Sequence, residues 1–139
     1  MLTGNKHYDR VISEKLEYSP NDFRDCVVVA LAVLRGVTYE QAHRHIEITC
    51  KRKYGDGVYP RDWIPSYVRS GLNMDNTTWS PRQVGGIGSR YTQKTITKLC
   101  NKGKWLVSTK GHVFAVVDGV IQDGERPNKK PVNRVWRIE

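Results

Sequence analysis

The chain is short of cysteine, phenylalanine, methionine and acid: 3 Cys, 2 Phe and 2 Met stand among 139 residues, with 14 Asp and Glu against 23 Lys and Arg. Three widely spaced cysteines fit neither a disulfide framework nor a zinc cluster. Each is therefore core filler or a reactive thiol, and no metal or organic cofactor is expected. Long apolar runs are also missing. The longest, Val27 to Leu34, has eight residues, against about 20 for a membrane span, so no membrane partner is expected. Residues 1–6 lack the apolar segment of a signal peptide, which makes the cytoplasm the expected location.

What the chain does have is length for one compact domain, 1–139, and a basic excess of +9. Residues 1–70 hold 11 basic and 9 acidic groups, residues 71–139 hold 12 and 5, so the second half carries most of the excess. A surface of that sign attracts nucleic acid, acidic protein surfaces or anionic lipid.

Residues 1–20 read as a polar lead-in. Pro20-Asn21-Asp22 is a helix-start signal, because Asn and Asp side chains accept bonds from the free amides of a first turn. The apolar segment Asp25 to Leu34 then reads as a buried helix, ended by Arg35-Gly36. Thr38-Tyr39-Glu40-Gln41 has the spacing of a capping box, which predicts a second helix from Thr38 to about Lys53 with Ala42, Ile46 and Cys50 on its apolar stripe. Residues 54–91 are rich in Gly and Pro and read as an insert or lid, with a short helix near Trp63 to Arg69. Thr92 caps a short helix in which Ile96, Leu99 and Cys100 share a face. Strands are expected at 105–109, 112–117, 120–123 and 132–138. Helices followed by an antiparallel sheet make the class α+β.

Cys26 is the informative thiol. The head of a helix favours negative charge through its free amides, which is half of what a nucleophilic cysteine requires. The other half is an oriented base. Asp118-Gly119 between two β-rich runs is a strong hairpin signal. With those two residues as the loop, Val117 pairs with Val120 and Phe114 faces Asp123. His112, Phe114 and Asp123 then share one face, with His112 and Asp123 as diagonal neighbours about 7–8 Å apart at the backbone. The same register selects Asp123 over Asp118, which lies in the turn.

Asn21-Asp22-Phe23-Arg24-Asp25-Cys26 leading into an apolar helix, then Gly36-Val37-Thr38-Tyr39, resembles the start of a small papain-like cysteine peptidase. Gly111 to Asp123 is similar to the His-strand and acid-strand of that superfamily, in the compact forms related to bacteriocin-processing and phage-encoded types. The matching motifs span about 20–42 and 103–124. The resemblance implies a fold in which N-terminal helices carrying the nucleophile pack on a C-terminal antiparallel sheet. It implies Cys26 as nucleophile, His112 as general base and then acid, and Asp123 as its orienter. It also implies a location in the host cytoplasm if the chain is phage-encoded. The superfamily's oxyanion hole commonly uses a Gln six residues before the Cys. Here that position is Pro20, and Asn21 is the oxyanion candidate.

Trp63, Gly86 and Gly111 are substrate-cleft candidates. Gly85-Gly86-Ile87-Gly88-Ser89 lacks the Lys-Ser/Thr of a phosphate loop and reads as a mobile loop over a cleft. His43 and His45, two apart on a helix, read as surface residues; Cys50 and Cys100 read as core. Trp63, Trp79, Trp105 and Trp136 form no recognisable nucleic-acid module. The expected function is a cysteine-dependent hydrolase, a peptidase, isopeptidase or amidase, acting on a peptide or protein substrate that the charge favours as acidic. The alternative is an inactive relative or a basic binding module for nucleic acid or an acidic protein.

Overall fold

The computed structural model describes residues 5–72, 74, 91–124 and 130–138. The chain forms two compact units, 1–72 and 73–139. Helices fill the first and an antiparallel sheet the second, so the class is α+β as the sequence predicts.

The first unit holds four helices: α1 (Lys6–Tyr18), α2 (Cys26–Arg35), α3 (Tyr39–Cys50) and α4 (Pro60–Arg69). The polar lead-in is thus largely helical, which its residue pattern does not announce. A single residue of α1, Val11, is fully buried; polar bonds supply the rest. Arg10 bonds Glu14 at 2.6 Å and the carbonyls of Val37 and Ala32 at 3.1 and 3.3 Å, and Glu14 accepts the Tyr39 amide at 3.1 Å. Tertiary bonds of this kind outweigh weak local preference.

α2 is buried from Val27 through Leu34 and ends at Gly36, whose φ of 66° is the left-handed cap. α3 starts with the capping box expected of it: Gln41 N–H donates to Thr38 Oγ1 at 3.1 Å and Thr38 N–H to Gln41 Oε1 at 3.0 Å. It stops at Cys50, where Lys51 turns left-handed, about three residues before the expected end. α4 begins three residues before the expected Trp63, with Pro60 in the first turn where its missing N–H costs nothing.

The second unit is a four-stranded antiparallel sheet of order β3-β2-β1-β4, formed by β1 (Lys104–Thr109), β2 (His112–Val117), β3 (Val120–Gln122) and β4 (Val132–Ile138). Val117 pairs with Val120 and Ala115 with Gln122, the register derived from the two-residue loop. Asp118 and Gly119 both take positive φ, 48° and 80°, as the tight primed turn demands. One face packs Trp105, Val107, Phe114, Val116 and Val135 against Ile96, Leu99 and Cys100. Those last three come from a single 3-10 turn, Ile96–Lys98, and the residues after it. The cap residue of that turn is Thr95, although Thr92 also contributes its hydroxyl to the Thr95 amide at 3.3 Å.

No helix among the described residues is long and apolar enough to cross a membrane.

Candidate active site

His112 opens β2, and Asp123 lies one residue past the end of β3. Extending the ladder by one pair sets Asp123 opposite Phe114, on the His112 face. There His112 Nε2 and Asp123 Oδ2 are 2.7 Å apart, with side chains 19% and 10% exposed. Such burial limits competition from water and strengthens a charge-assisted bond. The ring of Phe114 stacks beside His112, centroids 5.9 Å apart, which restricts imidazole rotation. Asp118, the acid rejected on register, bonds the backbone of Gly103 instead. It accepts that residue's N–H at 2.8 Å and donates its own N–H to the carbonyl at 2.9 Å.

Asp123 has a second donor. Gln93 Nε2 reaches the same Oδ2 at 3.3 Å. Gln93 is completely buried; the short-helix pattern around it assigns it no role, and only the tertiary structure reveals one.

In the helical unit Cys26 is the first residue of α2 and is partly exposed. It thus heads the helix. The residues before it are not caps in the expected sense. The cap residue is Asp25, and its side chain makes no capping bond. Asp25 Oδ2 accepts the Tyr39 hydroxyl at 2.7 Å and pairs with Lys15 Nζ at 2.9 Å.

Asp22 is also no cap. Its carboxylate, wholly buried, accepts both terminal nitrogens of Arg52 at 2.9 Å, His43 Nε2 at 2.8 Å, and the amides of Gly55 at 2.9 Å and Phe23 at 2.8 Å. Burial alone would raise this carboxyl. The hydrogen bonds from Arg52, His43 and Gly55 and the Arg52 charge outweigh it and hold the group far below the usual carboxylate range. Arg52 also donates to the carbonyls of Phe23 at 3.0 Å and Asp56 at 2.8 Å. The loop entering Cys26 is thereby clamped to the end of α3, and Arg24 is held at a φ of 53°, a conformation that costs a non-glycine residue free energy.

No family model, curated protein or solved structure matches this chain.

The remaining candidates divide. Asn21 is exposed in the turn before α2. Gly111 is exposed in the two-residue turn between β1 and β2, at φ 75°, so it serves the hairpin leading into His112. Trp63 is not a cleft residue: it is 1% exposed in α4, its ring 5.0 Å from that of Tyr67, because the apolar face of α4 needs a large side chain inside. Gly86 and the glycine-rich segment 85–89 lie outside the described residues, as does Trp79. His43 is buried on Asp22, contrary to the surface reading, and His45 bonds the Ser66 carbonyl at 2.7 Å. Cys50 is only partly buried, its thiol 3.4 Å from the Asp62 carbonyl. Cys100 is core as expected, and burial pushes its thiol up to about 12. Among the described residues no three His, Cys, Asp or Glu side chains gather as a metal site.

Proposed function

We propose that the chain is a papain-like thiol hydrolase with Cys26 as nucleophile, His112 as general base and then acid, and Asp123 as its orienter. The observation that carries this reading is the His112 Nε2 to Asp123 Oδ2 bond of 2.7 Å on partly buried side chains. A carboxylate on one ring nitrogen holds the imidazole in one tautomer and one orientation. A clamped loop supports Cys26, as a nucleophile that must meet its base within hydrogen-bond distance requires.

The chemistry is acyl transfer in two steps. His112 takes the thiol proton, and Cys26 Sγ forms a bond to the substrate carbonyl carbon. The C–N bond breaks as His112 returns the proton to the leaving amine, which leaves a thioester. Water, deprotonated by His112, then forms a C–O bond as the C–S bond breaks, giving a carboxylic acid and the free thiol. The Cys26 backbone amide and Asn21 are the donors assigned to the developing oxyanion, and loss of one such donor typically lowers the rate about 100–1000-fold. The basic excess favours an acidic peptide or protein segment as substrate.

The test is peptide-resolved alkylation with iodoacetamide at pH 6. Cys26 should react much faster than Cys50 and Cys100, and His112→Ala should abolish the difference. Equal, slow reaction of all three thiols refutes the hydrolase.

One observation favours a second reading, a binding module without catalysis. Arg24 lies 5.8 Å from the ring of Phe23 and Arg61 5.2 Å from that of Tyr59, on exposed aromatics, a combination that also suits stacking on nucleic acid. Salt-dependent binding of single-stranded DNA by Cys26→Ser, with no thiol selectivity in the parent chain, would establish it.

A further inference from the structure

Gln93 is an expensive residue for its place. It is 0% exposed, and its Oε1 has no hydrogen-bond partner among the described residues. Among the described residues its only side-chain bond is the 3.3 Å donation from Nε2 to Asp123. A buried acceptor left unpaired destabilises by more than one long hydrogen bond returns. A methionine or leucine would fill a similar volume without that penalty. Stability therefore does not account for an amide here, and a residue that breaks a local rule is expected where function demands it.

The backbone around Gln93 is held firmly. Its own N–H donates to the Lys130 carbonyl at 3.0 Å, and Val132 N–H donates to the Tyr91 carbonyl at 3.0 Å. Thr92 bridges Pro131 between them. On the other side, Thr92 N–H donates to Thr95 Oγ1 at 2.9 Å. Segment 91–93 is thus fastened to the chain entering β4, one edge of the sheet. Asp123 follows β3, the opposite edge, and stands just outside the strand ladder. The Gln93 side chain ties these two edges together at the end of the sheet that carries His112.

We propose that Gln93 is a positioning residue for the His112–Asp123 pair, resting on the reading of that pair as the general base and its orienter. Two donors converge on Asp123 Oδ2: His112 Nε2 at 2.7 Å and Gln93 Nε2 at 3.3 Å. The amide restricts rotation of the carboxylate and so keeps His112 Nε2 on it and the ring in one orientation. Glutamine is the side chain that can reach from 93 with a neutral N–H. A lysine would add a charge beside the imidazole, and a glutamate would set two carboxylates against each other.

The experiment compares the full-length chain with Gln93→Met and Gln93→Glu. Three quantities are read: the thermal midpoint, the downfield proton resonance of the His112 ring N–H, and the rate of Cys26 alkylation at pH 6. Gln93→Met should melt at the parental temperature or higher, yet broaden or shift the His112 resonance and slow Cys26 about tenfold, the lower end of the loss when the partner behind a metal-ligating histidine is removed. Gln93→Glu, which keeps the length and loses the donor, should perturb the resonance at least as much. A Gln93→Met chain that melts several degrees lower with His112 unchanged overturns the proposal, because the glutamine would then be a packing residue. If the resonance moves as expected while parental Cys26 reacts no faster than Cys50, the positioning role stands and the hydrolase reading falls.

Discussion

Replacing Arg52 with Met tests the physical argument for the loop that presents Cys26. The Asp22 and Arg52 side chains are 0% and 2% exposed, so the variant strands a buried carboxylate. Two of its five hydrogen bonds disappear, and the carbonyls of Phe23 and Asp56 lose their donor. Removing one partner of such a pair destabilises by about 3–5 kcal/mol, a large share of the ~5–15 kcal/mol that holds a domain together. For a chain of this size that lowers the melting temperature by about 10 °C or more. Asp22→Asn should be similarly damaging, because it leaves the guanidinium unpaired. The double variant should lose less than the sum, by roughly 1–3 kcal/mol of coupling. The pH dependence follows from linkage. The folded carboxyl lies below the unfolded value of about 3.9, so the native state binds fewer protons; the stabilisation is present at neutral pH and is lost as pH falls below about 5. Arg52→Met should flatten that acid limb. Urea unfolding at pH 7 and at pH 3 measures all three effects. A loss under about 1 kcal/mol at pH 7, or strict additivity, refutes the argument and makes the pair equivalent to a surface ion pair.

Gly55→Ala should destabilise by about 1–2 kcal/mol, since the position has φ +79° and a Cβ there would lie 2.8 Å from two Phe23 ring atoms; in a Phe23→Ala background only the backbone part of that loss should remain in thermal melts. A thiol reagent applied to the native chain at pH 8 should modify two cysteines, with Cys100 reacting only after denaturant, because burial raises its thiol to about 12. Lys15→Met should slow Cys26 alkylation severalfold at low salt and Lys15→Arg restore it, since the 2.9 Å Lys15–Asp25 pair neutralises the carboxylate that directly precedes the thiol.

Much of the sheet unit is legible in the sequence because strand pairing follows integer rules. Once Asp118-Gly119 is taken as the turn, every partner across β2 and β3 is determined, and β2 and β4 occupy the expected residues. α2 is legible from its apolar run and glycine stop, and α3 from a capping box whose two bonds span three residues. α1 is not, because what stabilises it lies elsewhere: Arg10 reaches residues 32 and 37, and Glu14 reaches residue 39. Local patterns report local energies, and long-range polar bonds leave no periodic trace.

The same division runs through the candidate site. The contact between His112 and Asp123 follows from alternation along two adjoining strands, and it is present at 2.7 Å. The surroundings of Cys26 do not follow from anything nearby. Asn21 and Asp22 suggest caps because short polar side chains before an apolar run usually serve as caps. A cap needs a free acceptor oxygen facing the first turn, however, and Asp22 and Asp25 are both engaged by residues 10 to 33 positions away in the sequence: Asp22 by His43, Arg52 and Gly55, Asp25 by Lys15 and Tyr39. Engaged in this way, the two acids do not cap the first turn of α2. The two acids before Cys26 are thus held from residues 15, 39, 43, 52 and 55. Substitutions at those distant places should alter thiol reactivity more than conservative changes in the apolar interior of α2, whose side chains from Val27 to Leu34 serve the core.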